Sequence, residues 1–101
     1  MLTTTPLEAN INPIEQLYEI PYCYLYGDSN IIKFVIPDKI KFVNSEAFAN
    51  CSQLHDVIFG KDVSVIYYGA FEACDITLYF HNNNEYAIEY CQRNNMEYKF
   101  I

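Results

Sequence analysis

Residues 47–51 read Ala-Phe-Ala-Asn-Cys and residues 70–74 read Ala-Phe-Glu-Ala-Cys, so Ala-Phe-x-x-Cys is spelled twice in a short chain. The flanks repeat with it. Setting residues 34–51 over 57–74 pairs large apolar residues at Phe34/Val57, Val35/Ile58, Ile36/Phe59, Ile40/Val63, Phe42/Val65 and Val43/Ile66. Charged and turn positions drift instead, as at Pro37/Gly60, Asp38/Lys61 and Glu46/Gly69. Recurrence of the apolar positions alone is the mark of a unit constrained by what it buries. A unit this short cannot bury its apolar face by itself, and a period of roughly 20 to 50 residues points to units stacked as a solenoid. A fainter third copy lies upstream, where Leu25, Ile31, Phe34 and Ile36 take the places of Phe48, Leu54, Val57 and Phe59, while Tyr24 and Asp28 replace the Ala and the Cys. Further upstream Leu17 and Ile20 can sit on Ile40 and Val43, but Pro13 misses Ile36.

The stretch IPDKIKFVNSEAFANCSQLHDVIF, residues 36–59, resembles the BspA-type leucine-rich repeat, whose unit runs roughly I-P-x-x-V-x-x-I-x-x-x-A-F-x-x-C-x-x-L-x-x-V-x-I. Ile36, Pro37, Ile40, Val43, Ala47, Phe48, Cys51, Leu54, Val57 and Phe59 each fill a motif position. The second unit matches at Phe59, Val63, Ile66, Ala70, Phe71 and Cys74, and departs where Gly60 replaces Pro and where the Cys-to-strand segment is shorter by two. The end of the chain, NNEYAIEYCQRNNMEYKFI, is similar to the C-terminal cap of such arrays. The resemblance covers about residues 31–101. It implies a β-rich solenoid, leucine-rich-repeat-like, of about three stacked repeats with short helical turns, closed by a C-terminal capping α-helix and strand. It is specific as to fold and silent as to function.

On this register the chain is expected to form one domain, with an N-terminal cap over 1–20, repeats over 21–80 and a C-terminal cap over 81–101. Asn12, Pro13 and Glu15 make a helix start, with an N-cap, a proline at the first helical position and a capping-box glutamate. Strands are expected at 31–36, 54–59 and 76–80. Alternation then sends Ile31, Phe34 and Ile36, Leu54, Val57 and Phe59, and Ile76, Leu78 and Phe80 inward. Short extended runs at 40–43 and 63–66 return the chain, and 45–51 and 68–74 read as single helical turns. Asn82 is the expected cap of the last helix, Ala87, Ile88 and Cys91 its buried stripe, and Arg93 sits in its last turn, where the dipole favours a cation. Asn94-Asn95 should stop it in a left-handed turn, and Met96, Tyr98 and Phe100 should point inward from a closing strand. Both ends read as finished, as expected of a complete small protein.

The balance of charge narrows the partners. Thirteen acidic residues against six basic ones leave −7, which argues against nucleic-acid backbone, where cationic side chains supply most of the affinity. The N-terminus has neither a basic region nor a long apolar run, and no stretch approaches the roughly 20 apolar residues of a membrane helix. An intracellular setting with free thiols is therefore expected. Cys51 and Cys74 hold equivalent buried positions, with Phe and Ala as repeat neighbours and nothing to lower a thiol pKa. Two histidines, His55 and His81, are too few for a zinc site built with them, and no Cys-x-x-Cys exists. No cofactor, metal or catalytic residue is indicated.

What remains is surface. The same alternation turns Lys33 and Val35, Asp56 and Ile58, and Thr77 and Tyr79 outward. Val35, Ile58 and Tyr79 would form an apolar stripe with a polar rim, the composition of a recognition surface. Ten tyrosines and no tryptophan add contact area with a polar handle. Tyr22 and Tyr26 are candidate contacts, and Tyr24 is expected in the core. The leading expectation is a non-catalytic protein-binding module, an adaptor or inhibitor acting by occlusion, with self-association as another use of the stripe. An acidic nucleic-acid mimic is an alternative that Lys39, Lys41 and Lys61 interrupt, and a cysteine-dependent enzyme is the third.

Overall fold

The computed structural model describes residues 17–81 and 84–101. Among the described residues, seven strands and one helix follow in the order β1 (Glu19–Ile20), β2 (Lys33–Val35), β3 (Phe42–Val43), β4 (Asp56–Ile58), β5 (Val65–Ile66), β6 (Thr77–Phe80), α1 (Glu85–Arg93) and β7 (Glu97–Phe100). They make two parallel sheets, ordered β1-β3-β5 and β2-β4-β6-β7. The strands are shorter than the apolar runs that predict them, because the chain turns a corner soon after each one on either side. The N-terminal helix start at Asn12–Glu15 lies outside the described residues.

The register repeats the spacing of the sequence. Phe34 pairs with Val57 and Phe42 with Val65, the same offset that separates Phe48 from Phe71. Asp56 pairs with Thr77 at an offset shorter by two, which absorbs the shortening after Cys74. Ile20 pairs with Val43, so residues 19–20 form a strand of the smaller sheet. Between the sheets lies a core with no buried polar or charged residue among the described ones, and Ile20, Ile40, Val43, Phe48, Val57, Phe59 and Leu78 are fully enclosed. Phe48 and Phe71, the phenylalanines of the doubled motif, stack with centroids 5.2 Å apart and planes 2° from parallel. Phe34 joins them at 5.1 Å and Phe80 closes on Phe59 at 4.9 Å, so an aromatic column runs through the repeats. Tyr24 packs against Phe34 and Phe48, on the core as expected.

On the turn side the backbone itself repeats. Cys23, Glu46 and Gly69 have φ of 57°, 59° and 76°, and Gly27, Asn50 and Ala73 have 72°, 60° and 62°. Each repeat thus enters and leaves its turn through a left-handed residue. The drift at Glu46/Gly69 is a freedom of side chain only, since both residues hold the same backbone conformation. Gly60, which stands where the motif has proline, has a different reason. A Cβ there would collide with Asp38 Cα and come within 2.6 Å of the Pro37 carbonyl oxygen, so only glycine lets the two levels approach.

The C-terminal segment departs from expectation in two places. The helix is capped by Asn84, whose side-chain oxygen accepts from the Ala87 N–H at 3.1 Å; Asn82 is outside the described residues. Three consecutive asparagines offer the same capping chemistry, and Asn84 is also tied down by its amide, which donates to the Val63 carbonyl at 3.2 Å. Ala87 and Cys91 are buried and Ile88 is half-buried, and Asn95 takes the left-handed turn with φ 55°. Met96, just before β7, and Tyr98 within it are half-buried against the core, but Phe100 is 44% exposed. Phe100 has the inward parity, in register with Phe80, yet no further described strand covers it. The smaller sheet is finished by side chains. The Tyr86 hydroxyl accepts from the Ile66 N–H at 2.6 Å and donates to the Ile66 carbonyl at 3.2 Å, standing in for the next strand.

Candidate functional site: the outer face of the four-stranded sheet

Strand alternation sends every second residue of β2, β4 and β6 away from the core, and the parallel register aligns them in columns. Lys33, Asp56 and Thr77 are mutually opposite, as are Val35, Ile58 and Tyr79. Lys33 is exposed, Val35 is 57% exposed, and the other four are half-buried. The six residues singled out by alternation therefore come together on one face. Adjacent strands lie about 4.8 Å apart, so each column spans roughly 10 Å over three strands.

Two further members escaped the sequence reading. Glu97 continues the first column opposite Thr77, and Lys99 continues the second opposite Tyr79. The alternation at the end of the chain carried that signal, since Tyr98 inward implies Glu97 and Lys99 outward. The apolar stripe thus ends in a cation. Within the face, the Tyr79 hydroxyl donates to Asp56 Oδ1 at 3.1 Å, linking the two columns across neighbouring strands. That bond to the carboxylate, with some desolvation, raises the phenol above its ordinary 10.0.

Tyr22 and Tyr26 lie elsewhere, in the turn that precedes β2. Tyr22 is 65% exposed and Tyr68 is 86% exposed. The repeat interval puts Tyr22, Ser45 and Tyr68 at equivalent positions of successive turns. Tyr26 is half exposed, and its hydroxyl accepts from the Asn50 amide at 2.9 Å, which ties the first turn to the second. The structure brings neither tyrosine to the strand face.

The cysteines are engaged in structure. Cys51 Sγ donates to the Leu25 carbonyl at 3.1 Å and Cys74 Sγ to the Phe48 carbonyl at 3.0 Å, the same bond one repeat later. Burial pushes both thiols upward, and Cys91 is raised by burial to about 11. A raised thiol is a poor nucleophile at neutral pH. Cys51 is enclosed with its thiol on the Leu25 carbonyl, while His55, the nearest His in sequence, is exposed. Among the described residues no three His, Cys, Asp or Glu side chains gather where they could hold a metal. Among the same residues no helix is long and apolar enough to cross a membrane.

The family model for the BspA-type leucine-rich repeat region (6 copies) matches residues 6–99. This chain belongs to that family. Membership accords with the repeat register, the paired Ala-Phe-x-x-Cys turns and the parallel sheets, and it points to repeat architecture in general. Leucine-rich repeats of this kind are in general protein-interaction modules and in general non-enzymatic. No curated protein and no solved structure matches the chain.

Proposed function

We propose that this BspA-type chain is a short solenoid of about three repeats that binds a protein partner through the outer face of β2, β4 and β6. The observation that carries the reading is the column Val35–Ile58–Tyr79, three large side chains in register and directed outward. It is bounded by Lys33, Asp56, Thr77 and the two residues added by β7, Glu97 and Lys99. Apolar centre and charged rim are what a protein interface requires. The role is an adaptor or an inhibitor that works by occluding its partner, without catalysis. Its setting is intracellular, consistent with four thiols free of disulfides.

Ile58→Asp tests the reading, because it places a charge at the centre of a surface that the partner must desolvate. Affinity capture from the source cell, compared between wild type and variant, should lose its principal bound protein. If the column instead joins two copies of the chain, light scattering of the wild type shows a dimer and the variant a monomer. An unfolded variant by circular dichroism, or an unchanged set of captured proteins, overturns the strand face as the contact surface.

A further inference from the structure

On the turn side, two backbone hydrogen bonds recur between successive repeats. Leu25 N–H donates to the Ala47 carbonyl at 2.7 Å and Gly27 N–H to Ala49 at 2.8 Å. One repeat later Phe48 N–H donates to Ala70 and Asn50 N–H to Glu72, both at 2.8 Å. The next donors in this series are Phe71 and Ala73, which stand one repeat beyond Phe48 and Asn50. Among the described residues neither N–H has a partner. The chain changes course there. After β6 it runs through α1 and comes back at Asn95 to β7, which extends the larger sheet but supplies no further turn to receive those two donors.

The space left is a cavity of about 500 Å³, lined by Phe71 and Ala73 on one side and Tyr90 on another. Three carboxylates, Glu72, Asp75 and Glu97, also line it, with no Lys, Arg or His among the described lining residues. All three are exposed, and none makes a salt bridge with another described residue. An occupant must therefore offer two acceptors spaced like the carbonyls of 47 and 49 or of 70 and 72, together with positive charge. Alternate backbone carbonyls of a turn meet the first need, and Lys or Arg meets the second. A small anion is repelled by the carboxylates. A second copy of this chain brings −7 onto −7, which disfavours it.

We propose that this cavity receives a basic turn of a partner protein, whose carbonyls accept from Phe71 and Ala73 and whose Lys or Arg side chain faces Glu72, Asp75 and Glu97. The site shares Glu97 with the rim of the strand face but none of the Val35–Ile58–Tyr79 column, and does not depend on that column. The test is an NMR titration of the ¹⁵N-labelled full chain with the blocked peptide Gly-Arg-Gly-Lys-Gly and its acidic counterpart Gly-Glu-Gly-Asp-Gly. With the basic peptide, the Phe71 and Ala73 amide protons should move downfield and saturate, and Ile58→Asp should leave that response unchanged. The triple variant E72Q/D75N/E97Q should weaken binding by about tenfold or more, while D62N/E85Q/E89Q, with the same change in net charge, should stay within about twofold. The proposal is overturned if no saturable shift appears up to about 10 mM peptide. It also fails if the shifts centre on other residues, if both triple variants behave alike, or if the acidic peptide acts equally. Shifts at Phe71 and Ala73 that follow protein concentration without peptide would assign the cavity to a second copy and sink it as well.

Discussion

The left-handed residues of the turns offer a test with opposite signs in one column. Gly27, Asn50 and Ala73 share the conformation, with φ of 72°, 60° and 62°, but differ in what it costs them. An L-residue pays roughly 1–2 kcal/mol for this region, and glycine pays almost nothing. Asn50 is tolerant of it by type, whereas Ala73 has no side-chain polar group to compensate. Ala73→Gly removes that strain and gives back about 0.5–1 kcal/mol through the greater freedom of glycine in the unfolded chain. The net expectation is a gain of about 0.5–1 kcal/mol, or a melting point higher by about 2–8 °C for a domain of this size. Gly27→Ala should lose a similar amount for backbone reasons alone, since a Cβ at Gly27 meets nothing within 4 Å. Urea denaturation of both variants and of the double variant measures this, with an unchanged m-value as the condition for comparing midpoints. The two sites are two repeats apart and should add. A destabilised Ala73→Gly, or a neutral Gly27→Ala, would refute the left-handed assignment of this column.

Two further outcomes follow from the core. Phe71 is 4% exposed and stacked on Phe48, so Phe71→Ala should cost about 3–5 kcal/mol, and a soluble variant with an unchanged denaturation midpoint would contradict the aromatic column. Cys91 is raised by burial from 9.0 to about 11; its neutral thiol therefore favours the fold fully below about pH 9, and that contribution is lost as pH rises through about 11. The difference in midpoint between wild type and Cys91→Ala, followed from neutral to alkaline pH, should narrow across that window, and all four thiols should react in denaturant without reductant.

The inward and outward parity of β2, β4 and β6 was legible because apolar residues recur at a fixed interval, and burial constrains side-chain type directly. The same interval lets Ile20 sit on Val43, the pair that the smaller sheet contains, although 1–20 reads in sequence as a cap and not as a repeat. The left-handed positions were not legible, because Cys23, Glu46, Asn50 and Ala73 share no side-chain chemistry that would reveal a common φ. Nor was the reason for cysteine in the motif: a small buried residue is all that a pattern of apolar positions conveys, whereas the thiols of Cys51 and Cys74 each hold the carbonyl of an earlier turn. The choice of Asn84 over Asn82 as cap depended on a contact with Val63, far away in sequence. Of the binding candidates, the six strand residues owe their shared outward placement to alternation. Glu97 and Lys99 are not among them, because in the closing strand the alternation is followed only for its inward residues, Met96, Tyr98 and Phe100. The turn-side cavity had no sequence signal at all, since it arises from where the chain does not go.

The Tyr86 hydroxyl occupies both backbone groups of Ile66, the outermost paired residue of the smaller sheet. A strand that would extend that sheet finds its hydrogen bonds already taken by a side chain. Growth of the array at this edge is thereby foreclosed, and a sticky parallel edge is removed as a seed for aggregation. A unit added to this sheet would have to enter ahead of Asn84, leaving the segment from Asn84 onward unchanged behind it.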